Sequence, residues 1–400
     1  MPIPETKYAK SGEINLAYQV LGNQGEYLVF IPGWVTNVEE CWNIPQLSAW
    51  LYYLASMSRL VLFDKRGTGL SDTVNEHDLP DIEQRASDLH IIMDAIGIES
   101  ANFIGLSEGG PLAIYFAANF PKKVKKLILI GSFAKWLTSE DYPYGLSKEQ
   151  HHRIKHHIFE NWGKHIGLTL MAPSVRHNET AQHQWSRFLR RSASPNTAKV
   201  FYEMNIDIDV RDSLPKVMAQ TLILHRKQDA LITCAHSEYM HERISHSQLE
   251  ITDGKDHLPW FSTNRNELIM LQTFLNDGKA INNPKLDMLS VEDIFTLYSM
   301  RDYIQNNYQE PLSIQSLSKH FGINDFKVKT GFKLLFHSPV ITFLIETRLK
   351  QACQLLRESK LPISVIAEEV GYGHSNNFSV AFKRKYHVSP LEYRLTNRQG

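Results

Sequence analysis

Residues 101–118 read ANFIGLSEGGPLAIYFAA, and their reading decides the fold of the first part of the chain. The apolar run Ala101 to Ile104 has strand length, and from Pro111 to Ala118 the pattern is helical. Gly105-Leu106-Ser107-Glu108-Gly109 makes the turn between them. Glycine at both ends lets the chain turn sharply and pack closely, which holds the Ser107 hydroxyl exposed above a sheet. The bare Gly-x-Ser-x-Gly pattern is common, so the strand-to-helix setting carries the argument.

Outward from this turn, apolar runs of strand length alternate with amphipathic stretches: Tyr27 to Ile31, Arg59 to Phe63, Lys126 to Ile130 and Thr221 to Leu224, with Leu249 to Ile251 as a sixth. Strands separated by helical patterns predict a mostly parallel sheet with helices on both faces. From Phe133 to about Leu214 the alternation gives way to a polar, aromatic, helix-compatible stretch, which reads as a cap inserted over the sheet. Its histidines, His151, His152, His156, His157 and His165, have no Cys or acidic partner at ligand spacing. They predict a solvated helix face and no metal site. Trp136, Tyr142, Tyr144, Trp162, Met171, Trp185 and Phe188 are candidates for a pocket wall, with core packing expected for most.

A serine is a weak nucleophile at neutral pH unless a base, its tautomer fixed by a carboxylate, takes the proton. Asp229 lies just past the run Thr221 to Leu224, and His257 sits in a loop past Leu249 to Ile251. With Ser107, all three fall at the carboxyl ends of strands, where open α/β sheets place their sites. Asp253 and Asp256 compete for the carboxylate role, but Asp256 adjoins His257 in sequence and is expected to point elsewhere. The backbone N–H groups of Glu108 and Trp34 are the expected oxyanion-hole donors. Gly67 and Gly69 lack the Lys-Ser/Thr pair of a phosphate cradle and predict a structural loop. No motif calls for a cofactor.

No window approaches the roughly 20 apolar residues of a membrane span. Met1 to Lys10 lacks the regions of a secretory signal, so a cytoplasmic chain without membrane association is expected. Cys41, Cys234 and Cys353 are too scattered for a disulfide framework and read as small buried hydrophobes. The formal charge is zero overall, but from Lys285 to Gly400 there are 15 Lys and Arg against 11 Asp and Glu. That surplus permits nucleic-acid binding by the last part of the chain without requiring it.

Gly278, Asn282, Asn283 and Pro284 mark a linker after the helical stretch Asn266 to Phe274, and beyond it everything reads as helix. Ser318 to Phe332 and Ala367 to Phe382 repeat one plan: a small residue, a glycine one turn later (Gly322, Gly371), then apolar anchors at Val328 and Phe332 or at Phe378 and Phe382. This is helix-turn-helix spacing twice, in which the second helix of each pair is free to enter a major groove. Between the copies, Val340 to Leu356 is amphipathic, with Leu344, Ile345, Leu349, Ala352 and Leu356 on one face. At 1.5 Å per residue it spans about 25 Å. With its flanking helices it can hold two recognition helices about 34 Å apart, one DNA turn.

Residues 1–278, with the cap at about 133–214, resemble α/β-hydrolase domains, particularly those fused to nucleotide cyclases and other regulators. The resemblance rests on Phe30-Ile31-Pro32-Gly33-Trp34, Phe63 to Asp72 (FDKRGTGLSD), Gly105 to Pro111 (GLSEGGP), Leu224 to Asp229 (LHRKQD) and Asp256-His257-Leu258-Pro259-Trp260. No cyclase domain follows. After a linker at 279–290, residues 291–400 resemble the AraC/XylS family DNA-binding domain. Val370-Gly371-Tyr372, Asn377-Phe378-Ser379, Ala381-Phe382-Lys383-Arg384 and Ser389 to Arg394 (SPLEYR) carry that likeness most specifically. The two resemblances imply an α/β-hydrolase fold with a helical cap, followed by an all-α double helix-turn-helix domain.

The second resemblance places base-reading positions at Phe326, Lys327, Lys329 and Thr330 in the first recognition helix and at Ser375, Asn376, Asn377, Ser379 and Val380 in the second. Thr330 and Val380 stand where many members carry Arg, which removes two bidentate guanine contacts. Lys333, Lys383, Arg384 and Lys385 are expected phosphate contacts. The implied protein is a transcription regulator of double-stranded DNA whose hydrolase pocket senses a small, largely apolar ester, lactone or amide and is able to hydrolyse it. A homodimer is compatible with that reading. The rival reading is a carboxylic-ester hydrolase whose C-terminal helices serve oligomerisation.

Overall fold

The computed structural model describes residues 4–22, 25–74, 79–164, 167–262, 264–277, 289, 291–336 and 338–397. The chain divides into two compact units, Met1–Ile281 and Asn282–Gly400. The expected linker 279–290 lies outside the described residues apart from Leu289, and so does His165.

In the first unit, β1 (Lys7–Ser11), β2 (Ile14–Leu21), β3 (Tyr27–Ile31), β4 (Arg59–Phe63), β5 (Ala101–Leu106), β6 (Val124–Ile130), β7 (Gln220–Arg226) and β8 (Ser247–Thr252) form one sheet. Its order is β1-β2-β4-β3-β5-β6-β7-β8. The β1/β2 and β2/β4 pairs are antiparallel, and every other pair is parallel. The antiparallel β1 and β2 were not among the sequence expectations. Side chains alternate across the sheet, and both sets are buried. Val29, Ile31, Phe103, Leu127 and Leu129 enter one apolar core, while Leu28, Phe30, Ile104, Ile128 and Ile130 are buried outside that core. Helices on both faces follow, because a parallel sheet must hide two apolar surfaces.

Those helices are α1 (Pro45–Met57), α2 (Ile82–Ile96) and α3 (Gly109–Asn119), then α4 (Lys148–Asn161), α5 (Leu168–Met171), α6 (Glu179–Ser192) and α7 (Pro195–Glu203) between β6 and β7, and finally α8 (Cys234–His241) and α9 (Arg265–Leu275). The four between β6 and β7 make the cap. Ser147 opens α4 with a capping box to Gln150, and Asn178 and Ser194 cap α6 and α7. One expectation fails here. His152, His156 and His157 are exposed, but His151 is buried, its Nδ1 accepting from Trp136 Nε1 at 2.9 Å. It lies one position from the exposed face and turns inward to stack on Tyr202. Cys41 and Cys353 are buried, whereas Cys234 is only half-buried at the start of α8.

The second unit holds α10 (Val291–Asn306), α11 (Ile314–Phe321), α12 (Asp325–Phe336), α13 (Val340–Glu358), α14 (Ile363–Glu369), α15 (Ser375–Tyr386) and α16 (Pro390–Asn397). The α11–α12 and α14–α15 turns share one geometry. Ser318 O accepts from Ile323 N at 3.2 Å, and Ala367 O accepts from Tyr372 N at 2.8 Å. Gly322 and Gly371 take φ +64° and +84°, the left-handed conformation that ends each first helix. Phe378 and Phe382 are fully buried against Leu349, Leu356 and Ile366. Truncating Phe382→Ala should cost about 3–5 kcal/mol in this unit. Chemical denaturation followed by a probe in residues 282–400 should show the midpoint fall, and an unchanged midpoint would remove Phe382 from the core.

Candidate active site and nucleic-acid interface

Ser107 sits between β5 and α3 with φ +54°, a left-handed conformation on a residue with a Cβ. Its backbone is pinned on both sides: Ser107 N donates to Ile130 O at 3.0 Å, and Ser107 O accepts from Gly110 N at 3.0 Å and Ser132 Oγ at 2.9 Å. The flanking glycines serve close approach. A Cβ on Gly109 would lie 2.1 Å from Ile31 O, and one on Gly105 would lie 2.7 Å from the Gly110 Cα. The sharp conformation therefore falls on the serine itself, and the glycines let α3 descend onto the sheet.

Asp229 and His257 follow β7 and β8 and meet through His257 Nδ1 and Asp229 Oδ2 at 2.7 Å, both side chains buried. Asp229 Oδ1 accepts from Leu231 N and Ile232 N at 2.9 and 3.1 Å. Burial works to raise the Asp229 pKa, but the His257 ring, its hydrogen bond and the Ile232 N–H outweigh it and hold the carboxyl below its usual range. A proton on Nδ1 facing the carboxylate leaves Nε2 as the base. His257 Nε2 is buried without a hydrogen-bond partner among the described residues, Ser107 included. Ser107 and His257 line the same cavity. Asp256 points away, as expected, its carboxylate accepting from Ser174 N at 2.9 Å and Ser174 Oγ at 2.5 Å.

Three supporting groups escaped the sequence reading. Gly131, at φ +50° after β6, leaves room for the pair: a Cβ there would lie 3.3 Å from the His257 ring and 3.4 Å from Asp229 Oδ2. Arg226 ends β7 and holds the His257 loop, donating to Asp256 O at 3.0 Å and Pro259 O at 3.1 Å while paired with the buried Glu267 at 2.7 Å. Behind Ser107, the Glu108 carboxylate is buried between Lys65 and Arg85, and Lys65 Nζ also reaches Trp34 O at 3.4 Å. One ammonium thus ties together Glu108 and Trp34, the two residues expected to present oxyanion-hole N–H groups. Neither N–H has a hydrogen-bond acceptor among the described residues. The arrangement has the parts for acyl transfer: a nucleophile, an oriented base and two free donors.

The Gly67 and Gly69 loop is structural. Gly69 at φ +56° packs so closely that a Cβ would lie 2.2 Å from Asp64 Oδ2, which accepts from Leu70 N at 2.9 Å. Burial pushes Asp64 up to about 7.

Two cavities open beside Ser107. A narrow one of about 90 Å³ is walled by apolar side chains including Phe30, Phe63, Met171, Trp185, Phe188 and Trp260. A wider one of about 560 Å³ lies under the cap helices. Of the expected aromatics, Trp136 also lines the wide cavity. Tyr142 is wholly buried with its hydroxyl 2.7 Å from His236 Nδ1, and Trp162 packs on Trp34. Tyr144 is exposed.

On the helix-turn-helix unit, Asn376, Asn377, Val380, Lys383 and Arg384 are exposed along α15, with Ser375 and Ser379 half-buried. Lys385 is exposed too, but paired with Glu346. On α12, Phe326, Lys329 and Lys333 are exposed and Thr330 is half-buried. Lys327 is half-buried, its Nζ paired with Asp293 Oδ2 of α10 at 2.5 Å. The apolar anchors Val328, Phe332, Phe378 and Phe382 face inward, which turns these polar positions out.

Residues 26–262 match the family described as alpha/beta hydrolase fold, and residues 317–396 match the helix-turn-helix domain. The chain belongs to the α/β-hydrolase fold family and carries an AraC-type helix-turn-helix domain after it. Over 181 residues it is 29% identical to pimeloyl-(acyl-carrier protein) methyl ester esterase of Neisseria meningitidis, covering 44% of this chain. The match spans 58% of that esterase's length. Over 108 residues it is 30% identical to the multiple antibiotic resistance protein MarA of Escherichia coli, covering 27% of this chain and 85% of that protein. An esterase from Exiguobacterium antarcticum superposes with a TM-score of 0.58 at 22% identity, covering 68% of this chain and all of that one, which establishes the fold. The chain therefore joins an α/β-hydrolase domain to an AraC-type helix-turn-helix domain.

Burial holds His151, His225 and His236 below the ordinary histidine value, His236 at about 4. For a base whose folded pKa is depressed, stability is full above the unfolded value of 6.5 and is lost as pH falls toward the folded value. His236 by itself should contribute a loss of roughly 3 kcal/mol across that window. Denaturation midpoints between pH 7 and 4 should fall steeply and less so in His236→Gln; an equal slope in the variant would refute the assignment. Lys65→Met, which leaves Glu108 paired with Arg85, should destabilise the hydrolase unit by about 1.5–3 kcal/mol, read as a fall in its denaturation midpoint.

Proposed function

We propose that this protein is a transcription regulator whose α/β-hydrolase domain binds a small acyl ester, lactone or amide as effector and hydrolyses it through Ser107, Asp229 and His257. The observation that carries the chemical half is the buried Asp229–His257 pair, with His257 Nε2 unpartnered among the described residues and the His257 ring lining one cavity with Ser107. Ser107 Oγ attacks the carbonyl, His257 Nε2 takes its proton, and the N–H groups of Glu108 and Trp34 receive the oxyanion. As the tetrahedral intermediate collapses to the acyl-serine, the bond to the alcohol or amine breaks and His257 gives that leaving group its proton; water then attacks the acyl-serine with His257 again as base, and the proton returns to Ser107 Oγ as the acid is released. The esterase names of the relatives support an acyl substrate. The regulatory half rests on the paired helix-turn-helix units, with Asn376, Asn377 and Lys329 presented for base edges and Lys333, Lys383 and Arg384 for phosphates. Occupancy of the hydrolase cavity sets the affinity for the operator, and the site of action is the cytoplasm.

Ser107→Ala should lower hydrolysis of a short-chain aryl ester by at least about a thousandfold. Unchanged turnover would remove Ser107 as nucleophile. Selection from random duplexes with the full chain should enrich one sequence, and deletion of residues 285–400 should abolish it; no enrichment would sink the regulator reading. Asn377→Ala should relax the preference at one position, whereas Lys383→Ala should weaken all duplexes alike and reduce the salt slope by about one.

A further inference from the structure

Under the cap lie buried polar atoms, three from the cap and one from the loop after β3, for which the described residues supply no partner. Tyr202 Oη, Asn205 Oδ1, Trp34 Nε1 and His151 Nε2 are each buried and without a hydrogen-bond partner among the described residues. Tyr202, Asn205 and Trp34 line the wide cavity, which also reaches Ser107 and Glu108. The His151 ring stacks on Tyr202 with centroids 4.6 Å apart and planes 15° from parallel.

Their donor and acceptor roles can be assigned. Trp136 Nε1 donates to His151 Nδ1, so the proton of the neutral ring sits on Nε2. Burial keeps that ring neutral by holding its pKa below the ordinary value. His151 Nε2 and Trp34 Nε1 are therefore donors, Asn205 Oδ1 is an acceptor, and Tyr202 Oη can act as either. Buried polar groups are normally paired, so an unpaired set on and behind one cavity wall marks a place a ligand completes. The narrow cavity, apolar in its walls, shares Ser107 with the wide one.

Resting on the reading of the hydrolase domain as the effector-binding part, we infer that its ligand is bipartite. An apolar acyl chain occupies the narrow cavity, the ester or amide carbonyl lies at Ser107, and a carboxamide-bearing head group pairs with Trp34, Tyr202 and Asn205 under the cap. The head group needs a carbonyl oxygen for Trp34 Nε1 and an N–H for Asn205 Oδ1.

The test uses the full chain carrying Ser107→Ala, so that binding is read without turnover, and two probes with one acyl chain: methyl octanoate and 2-amino-2-oxoethyl octanoate. Fluorescence titration should show the carboxamide ester binding at least tenfold tighter. Adding Tyr202→Phe, which keeps the ring and its stack, or Asn205→Leu should shrink that ratio below threefold. A ratio near one in Ser107→Ala, a ratio retained in both double variants, or no binding of either ester would overturn the inference. A wild-type chain that shows the ratio but hydrolyses neither ester would leave it standing while removing the proposed chemistry.

Discussion

The close approach of the first turn of α3 to the end of β3 governs how the site of the hydrolase unit is built. With Gly109 against Ile31 O and Gly110 against Ser132, no Cβ can be accommodated at either position without moving backbone or a neighbouring strand. That contact brings α3 down onto the sheet and sets the Ser107 hydroxyl at the edge of two cavities. It also directs the next residue, Glu108, into the buried space between α2 and the loop after β4, where Arg85 and Lys65 are waiting. A lone buried carboxylate there would be prohibitive, so the close packing and the two cations require one another.

The fold was legible wherever local pattern and global structure agree. The runs at 27–31 and 59–63 coincide with β3 and β4, and the turn at 105–109 announces its strand and helix. The pair β1 and β2 was missed because Lys7–Ser11 is short and mixed, with alternate residues exposed at a sheet edge. The order Ser107, Asp229, His257 could be read along the chain, and the Asp229–His257 contact matches it. What supports that contact could not be read. Arg226, Glu267, Lys65 and Arg85 look like surface charges in a sequence, since only tertiary structure decides which of them are buried in pairs. His151 was misplaced for the same reason: a helical face narrows orientation to within a residue or so, and its partner Trp136 lies outside the helix.

The two units solve opposite polar problems. In the helix-turn-helix unit the polar positions of α15 are pushed outward by aromatic anchors. In the hydrolase unit charged groups are drawn inward and paired almost completely, as Arg226 shows with five acceptor groups. Under the cap, Tyr202 Oη, Asn205 Oδ1 and His151 Nε2 lack partners among the described residues, so the hydrolase unit keeps enclosed the kind of unpaired polar atom that the helix-turn-helix unit leaves open on α15.

The left-handed backbone of Ser107 has an evolutionary consequence. A residue with a Cβ held there costs of order 1–3 kcal/mol, which glycine would not incur. Stability taken alone therefore favours glycine at this position, and a pocket that merely gripped its ligand would gain by drifting to it. The serine is a standing charge against the fold, and mutational drift in a lineage that had lost the chemistry would be expected to erase it early.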